Sequence, residues 1–334
     1  MQTRGRYLRP LGIADILDET ADLYRANFIL LIGIAAVLYV PFSVISGALT
    51  SPMANTGPDS DPMAVLALMG PRMMLLFLFM AVVMPIVTGA LTFAVSERYL
   101  GRPTSIGECY RRVLRADVFF PFLGALALKY GALFALYLGS FLIIFIAGAA
   151  GGMAGSVMGF LAAAPFFLGM IVLLVYVGLR LILVEPAFIV EMKGAAGSLG
   201  RSWALMSGSV GKAFALVLIA GLVIGLISVI MTGPTQAIIA IKAQQGMRAA
   251  PGVYLLNTVL STLVNVLTVP LFSIVVILLY YDARIRREGF DLELLARELD
   301  EKSAARAQDI SSLPQEEIRP RDYPTEPGPP GERQ

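Results

Sequence analysis

The chain contains no histidine, and it has a single cysteine, Cys109, among its 334 residues. The lack of histidine excludes imidazole as a general base, as a metal ligand and as a member of a catalytic triad. A single cysteine can form neither an intrachain disulfide nor a cysteine-rich metal centre. We therefore predict that the protein is not an enzyme and that it has no catalytic, cofactor-binding or metal-binding residues.

Charge is scarce as well. Only 15% of the residues are charged and 57% are hydrophobic, whereas a soluble domain carries about 25% charged residues. The net charge of +2 is too small to support a nucleic-acid partner. This composition is typical of an integral membrane protein whose main partner is the lipid bilayer.

Long runs without charge define the predicted spans. Five such runs occur, at 26–58, 73–96, 130–179, 213–241 and 249–281. A helix crosses the hydrocarbon core with about 20 residues, so the third run is too long for one crossing, and its glycine-rich middle divides it. The sequence thus predicts an all-α polytopic membrane bundle over 28–281, with six transmembrane helices near 28–50, 73–95, 118–147, 160–188, 213–238 and 254–281.

Lysine and arginine are divided unequally between the connections that these spans define. Sixteen lie before the first span, in the loops 96–117 and 191–212, and in the segment 282–297 that follows the last span, whereas three lie on the opposite side. Positive residues in short loops mark the cytoplasmic side. The chain is therefore predicted to be a multi-pass protein of the cell membrane, with a bacterial inner membrane favoured, and to have both termini in the cytoplasm.

A short amphipathic pattern recurs with a period of 93 residues, starting at Ile13, Ile106 and Leu199. Each copy precedes two predicted spans. The spacing predicts three parallel repeats, each an amphipathic helix followed by a two-span hairpin, near 10–102, 103–195 and 196–288. The alternative is that six spans show similar spacing by chance.

The segments outside the membrane domain have patterns of their own. Residues 1–27 and 282–302 are predicted to contain cytoplasmic amphipathic helices. Residues 303–334 are rich in proline and charge and predict a disordered tail. Arg111, Arg112 and Arg115 make the second amphipathic segment basic, and a solvated face is the favoured interpretation. The alternatives are contact with anionic lipid headgroups and pairing with the acidic first segment.

Polar residues inside the spans are the candidate functional residues, since an ionisable group in a bilayer is costly. We predict an intramembrane polar cluster of Lys129, Arg180, Glu185, Asn257 and Asn265. The alternatives are structural pairing for Lys129, snorkelling for Arg180 and interhelical hydrogen bonds for the asparagines.

Three residues that loosen helices lie at nearly the same register of the predicted repeats. They are Pro85, Gly178 and Pro270. Each is a candidate kink within its span.

Three stretches carry a family resemblance: RPLGIADILDETADLYRANF at 9–28, SLGRSWALMSG at 198–208 and LYYDARIRREGFDLELL at 279–295. They resemble the membrane domain found with glycerophosphoryl diester phosphodiesterases and its stand-alone relatives, over about residues 7–300. In that family the membrane domain can be fused to a soluble catalytic domain that uses histidine. The resemblance implies the membrane half only and transfers no catalytic residue.

These observations predict a non-catalytic membrane protein, either a scaffold or a module that interacts with a partner or with lipid. The alternative is a transporter or permease for a small or lipid-like solute. Gly221 and Gly225 form a GxxxG pair in the fifth span, which is typical of close helix packing. The packing is either within the chain or between chains, and the second alternative implies a membrane protein partner or a homo-oligomer.

Overall fold

The computed structural model describes residues 10–50, 62–150 and 157–289. These residues form ten helices and no strand. The helices are α1 (Ile13–Ala26), α2 (Phe28–Thr50), α3 (Pro62–Tyr99), α4 (Ile106–Val113), α5 (Ala116–Ala150), α6 (Val157–Arg180), α7 (Val184–Glu191), α8 (Ala195–Leu205), α9 (Val210–Gln244) and α10 (Pro251–Glu288).

The chain divides into two compact units, Met1–Arg287 and Glu288–Gln334. The first unit holds all ten helices except the last residue of α10. The predicted tail 303–334 and residues 290–302 of the predicted terminal amphipathic helix lie outside the described residues, as do residues 1–9.

Six helical segments are long and apolar enough to cross a membrane. They are Phe28–Gly47, Met69–Tyr99, Ala116–Leu142, Pro165–Glu191, Val210–Gln244 and Pro251–Glu288. The prediction of an all-α bundle with six spans is therefore confirmed. The last span differs in length, because α10 continues without a break beyond residue 281 to Glu288.

Three shorter helices, α1, α4 and α8, each precede two of these spans in the chain. Counted from Ile13, Ile106 and Leu199, the positions three and seven residues further on are buried in every copy. They are Ile16 and Thr20, Cys109 and Val113, and Ser202 and Met206. The same face of each short helix is thus packed against the bundle, while a common origin of the three copies remains a prediction.

Helix α4 illustrates how such a helix is started and held. The Ser105 hydroxyl accepts a hydrogen bond from the backbone N–H of Glu108 and so caps the first turn. Gly33 on α2 lets α4 approach closely, because a Cβ at this position would meet the Ile106 side chain. The Tyr110 hydroxyl then donates to the Ile34 carbonyl oxygen at 2.5 Å, which ties α4 to the first span.

We call the end of the first unit that contains α1, α4 and α8 the short-helix end. A fully buried carboxylate, Asp282 on α10, organises one part of it. Asp282 accepts hydrogen bonds from the Leu11 backbone N–H at 2.8 Å, from Lys212 Nζ at 2.5 Å and from Arg286 Nε at 3.0 Å. These bonds join the segment before α1 to α9 and α10.

A second carboxylate, Glu191 at the end of α7, organises another part of the short-helix end. It accepts hydrogen bonds from Arg201 Nε on α8 at 2.8 Å and from the Tyr280 hydroxyl on α10 at 2.7 Å. Lys193 Nζ lies 3.0 Å from its second oxygen. Nearby, the hydroxyls of Ser96 and Tyr281 are hydrogen-bonded at 2.6 Å and join α3 to α10.

Candidate intramembrane site

Two opposite charges meet inside the bundle, Lys129 on α5 and Glu185 on α7. Lys129 Nζ donates to Glu185 Oε1 at 3.1 Å, and the two side chains are 11% and 18% exposed. Lys129 Nζ also lies 5.4 Å from the centre of the Tyr130 ring, within the range of a cation–π contact. The pairing explains how each charge is tolerated among apolar helices.

A break in the fourth span places Glu185. This span consists of α6 and α7, which are separated by a three-residue turn at 181–183. Ser202 on α8 satisfies the backbone at this turn, because its hydroxyl accepts from the Leu183 N–H at 3.1 Å and donates to the Arg180 carbonyl at 2.7 Å. A helix break in a membrane is tolerated when neighbouring groups satisfy the freed backbone in this way.

Beside the ion pair lies a cavity of about 360 Å³ between α3, α5, α7, α9 and α10. Its polar lining residues include Thr92, Lys129, Glu185, Asn265, Thr268 and Ser273. Apolar side chains, Ile182, Ile224, Val269, Phe272 and Val276, complete the wall. A mostly apolar wall with a few converging polar groups is typical of a ligand-binding cavity.

The cavity extends from the short-helix end toward the middle of the bundle. Thr92 lies about 6 Å along α3 from Ser96, and Asn265 lies about 24 Å along α10 from Tyr281, at about 1.5 Å of helix rise per residue. The hydroxyls of Ser96 and Tyr281 are hydrogen-bonded, so these two residues lie at about the same depth along the bundle. The hydrocarbon core is about 30 Å thick, so the polar lining lies within membrane depth.

The hydrogen-bonding capacity of this lining is only partly used. The hydroxyls of Thr88, Thr268 and Ser273 donate to carbonyl oxygens of their own helices. Among the described residues, neither Thr92 nor Asn265 makes a side-chain hydrogen bond, although Thr92 is only 3% exposed. The cavity therefore offers an unpaired hydroxyl and an unpaired amide beside an ion pair.

Of the five residues that the sequence placed in one cluster, Lys129, Glu185 and Asn265 line this cavity. Arg180 lies elsewhere: its guanidinium contacts the rings of Tyr176 and Trp203 and donates to the Tyr176 hydroxyl. Asn257 also lies elsewhere, because its side-chain oxygen accepts from the Thr235 hydroxyl at 2.8 Å. Neither Arg180 nor Asn257 lines the cavity.

The candidate kinks behave differently from one another. Pro85 and Pro270 lie inside α3 and α10, which are assigned as helix on both sides of each proline. Gly178 lies near the end of α6, and the fourth span is interrupted just after it, at 181–183. The position of the interruption is consistent with Pro186 in the first turn of α7, where a missing N–H is tolerated.

The basic residues of α4 and its flank are only partly engaged within the described part of the chain. Arg115 pairs with Asp117 at 2.8 Å. Arg111 and Arg112 form no ion pair with any described residue, and Arg111 is exposed. On the same helix, burial raises the pKa of the Cys109 thiol above its ordinary value and raises the pKa of Tyr110 to about 12.

Comparison of the chain with protein-family models, curated proteins and solved structures finds no match. The class of the protein is defined by its fold and its cavity alone: it is a polytopic helical membrane protein with a polar cavity between its spans.

Proposed function

We propose that the protein is a non-catalytic, lipid-interacting membrane protein whose cavity binds the polar group of a lipid-like ligand. One observation carries the proposal: Thr92 and Asn265, which have no side-chain hydrogen-bond partner among the described residues, line the same cavity as the Lys129–Glu185 ion pair. A polar group left unsatisfied in hydrocarbon costs several kcal/mol. A bound polar group would remove that cost.

The surroundings of Asn265 favour an amphiphile over a purely polar solute. The side chain is exposed on α10, and Leu263 and Val259 on the same helix are exposed as well. A lipid-like ligand can keep its apolar part against such side chains while its polar group enters the cavity. Arg111 and Arg112, which are not paired within the described residues, would add contacts with anionic headgroups at the short-helix end.

The proposal also covers the membrane location of the protein and the family that it resembles. The excess of lysine and arginine at the short-helix end supports a cell-membrane protein with both termini in the cytoplasm. The resemblance to the membrane domain of the glycerophosphoryl diester phosphodiesterase type supports a membrane module of that kind. A protein partner or a second copy remains compatible with the exposed GxxxG face of α9.

The test is the lipid content of the purified protein. We expect wild-type protein extracted in mild detergent to retain lipid, and Asn265→Leu to lose most of it, because the substitution removes a polar group from the cavity. Asn257→Leu on the same helix is the matched control, since Asn257 binds Thr235 outside the cavity. Equal lipid content in all three proteins, measured by mass spectrometry, would contradict the proposal.

The second candidate function is transport of a lipid-like solute. The observation that favours it is the interrupted fourth span beside the cavity, since discontinuous helices commonly form the substrate sites of transporters. Reconstituted protein would then accelerate transfer of a labelled lipid between bilayer leaflets, and Lys129→Ala would abolish the acceleration. A protein that only binds lipid leaves the transfer rate equal to that of empty liposomes.

A further inference from the structure

We infer that the polar group held in the cavity is a zwitterion, with an ammonium that carries N–H groups and a phosphate or carboxylate. This inference rests on the proposed function and specifies its ligand. The two charged side chains that line the cavity, Lys129 and Glu185, have opposite signs.

Charge balance favours a ligand without net charge. The lysine and the carboxylate compensate one another at 3.1 Å, so the cavity has no net charge when both are ionised. A net anion or cation bound there would bring an uncompensated charge into a low-dielectric region, which is strongly unfavourable. A zwitterion adds one charge of each sign, and each of its charges finds an opposite side chain.

The unused hydrogen-bond donors and acceptors of the ion pair fit the same zwitterionic ligand. Lys129 uses one of its three N–H groups on Glu185, so two remain for an anionic group. Glu185 uses Oε1 for Lys129, so Oε2 remains to accept from an ammonium. Because only an N–H group can donate a hydrogen bond to Oε2, an ammonium that carries hydrogen fits this acceptor better than a quaternary trimethylammonium.

Thr92 and Asn265 lie toward opposite ends of the cavity, about 18 Å apart along the bundle at about 1.5 Å of helix rise per residue, so one headgroup reaches only one of them. Among the described residues neither side chain has a hydrogen-bond partner, and either can donate to a phosphate or carboxylate oxygen. The cavity volume of about 360 Å³ holds a headgroup but not a pair of acyl chains. An ethanolamine phosphate headgroup has this chemistry, and so does the free phosphoethanolamine molecule.

The first experiment uses the wild-type full-length chain and needs no variant. Protein is placed in nanodiscs that contain equal amounts of phosphatidylethanolamine, phosphatidylcholine and phosphatidylglycerol, and the retained lipid is counted by native mass spectrometry. We expect phosphatidylethanolamine to be retained about tenfold over both others, because phosphatidylcholine lacks the N–H groups for one charge-assisted hydrogen bond and phosphatidylglycerol carries a net negative charge. Equal or greater retention of phosphatidylglycerol would overturn the zwitterion inference and leave the proposed function intact.

A second experiment shifts the charge of the cavity. Glu185→Gln leaves Lys129 without its partner, so we expect retention to change in favour of the anionic phosphatidylglycerol by about tenfold. Glu97→Gln is the matched control, because Glu97 pairs with Arg102 outside the cavity lining. An unchanged preference in folded Glu185→Gln protein would contradict the inference.

A third experiment distinguishes a lipid headgroup from free phosphoethanolamine as the ligand. Free phosphoethanolamine is added to lipid-stripped protein, and the melting temperature is followed. If it raises the melting temperature and no lipid is retained, the zwitterion chemistry holds and the lipid-binding function fails. If neither the free compound nor any lipid binds, both proposals fail.

Discussion

Three charged residues that are largely buried, Asp282, Glu191 and Lys129, each lie next to an opposite charge. Asp282 is fully buried and contacts Lys212 and Arg286, and Glu191 contacts Arg201. Lys129 and Glu185 follow the same rule deeper in the bundle. The difference lies in what remains unused, because Asp282 is surrounded by donors from three segments whereas the Lys129–Glu185 pair faces a cavity. The first arrangement is suited to holding helices together, and the second to receiving a ligand.

Asp282→Ala should destabilise the protein by about 3 kcal/mol, because it leaves two cations and the Leu11 N–H without their common acceptor. The measurement is the free energy of unfolding in mixed detergent micelles. Asp117→Ala is the control: its pair with Arg115 is exposed and screened by solvent, so little or no loss of stability is expected. Similar losses for the two variants would show that Asp282 does not hold the short-helix end together.

The single cysteine gives a pH-dependent prediction. Burial raises the pKa of Cys109 above its ordinary value of 9.0, and the thiolate is the reactive form. Alkylation of folded protein should therefore stay slow at pH 7 to 9, where unfolded protein reacts rapidly. The raised pKa also means that the stability contributed by the neutral thiol is fully present below pH 9 and decreases as the pH rises above it. Rapid alkylation of folded protein at pH 7, followed by mass spectrometry, would contradict the burial of Cys109.

At the scale of helices, the interrupted fourth span links the short-helix end to the cavity. Ser202 belongs to α8, yet its hydroxyl bridges Arg180 and Leu183 on either side of the turn. Glu185 follows directly in the first turn of α7. The position of α8 therefore determines where the carboxylate of the ion pair lies.

Ser202→Ala should cost about 1 to 3 kcal/mol of stability, because the buried Leu183 N–H loses its acceptor. It should also lower lipid retention, since Glu185 is no longer held in place. Ser209→Ala is the matched control, because Ser209 makes no side-chain capping bond. Thermal unfolding and lipid content are measured on the same samples. If the Ser202→Ala protein has the thermal stability and the lipid content of the wild type, the proposed coupling of α8 to the cavity is contradicted.

For the whole molecule, the spans were predictable because their cause is local in sequence. A run of uncharged residues long enough to cross a bilayer is visible without any knowledge of its neighbours. The register of the short helices was similarly visible in the spacing of Ile13, Ile106 and Leu199. The break at 181–183 was not, because it depends on Ser202 from another helix, although Pro186 was a local signal.

The site was predictable only in part, for a related reason. Residue type indicated that Lys129, Glu185 and Asn265 needed partners, and these three line one cavity. Arg180 and Asn257 met the same criterion but bind Tyr176 and Thr235 instead. Thr92 was missed because a threonine in a helix ordinarily donates to its own backbone, as Thr88 does. Which polar groups meet is decided by helix packing, and that is not local in sequence.

The orientation of the whole molecule can be tested with two single-cysteine variants in a Cys109→Ala background. Arg111→Cys lies at the short-helix end, and Gln245→Cys lies in the exposed connection between α9 and α10. The excess of positive residues predicts that the short-helix end faces the cytoplasm. We therefore expect a membrane-impermeant maleimide to label Gln245→Cys in intact spheroplasts and Arg111→Cys only after permeabilisation.

The labelling results test the orientation of the protein and the number of its spans separately. An even number of spans requires tags at residues 1 and 334 to be accessible from the same side, whatever the orientation. Reversed labelling of the two variants would overturn the orientation but keep six spans. Labelling of both from one side, or termini on opposite sides, would mean that one of the six apolar segments does not cross. If the segment that does not cross is one of the helices that line the cavity, water can reach Asn265, and its lack of a partner among the described residues no longer implies a ligand.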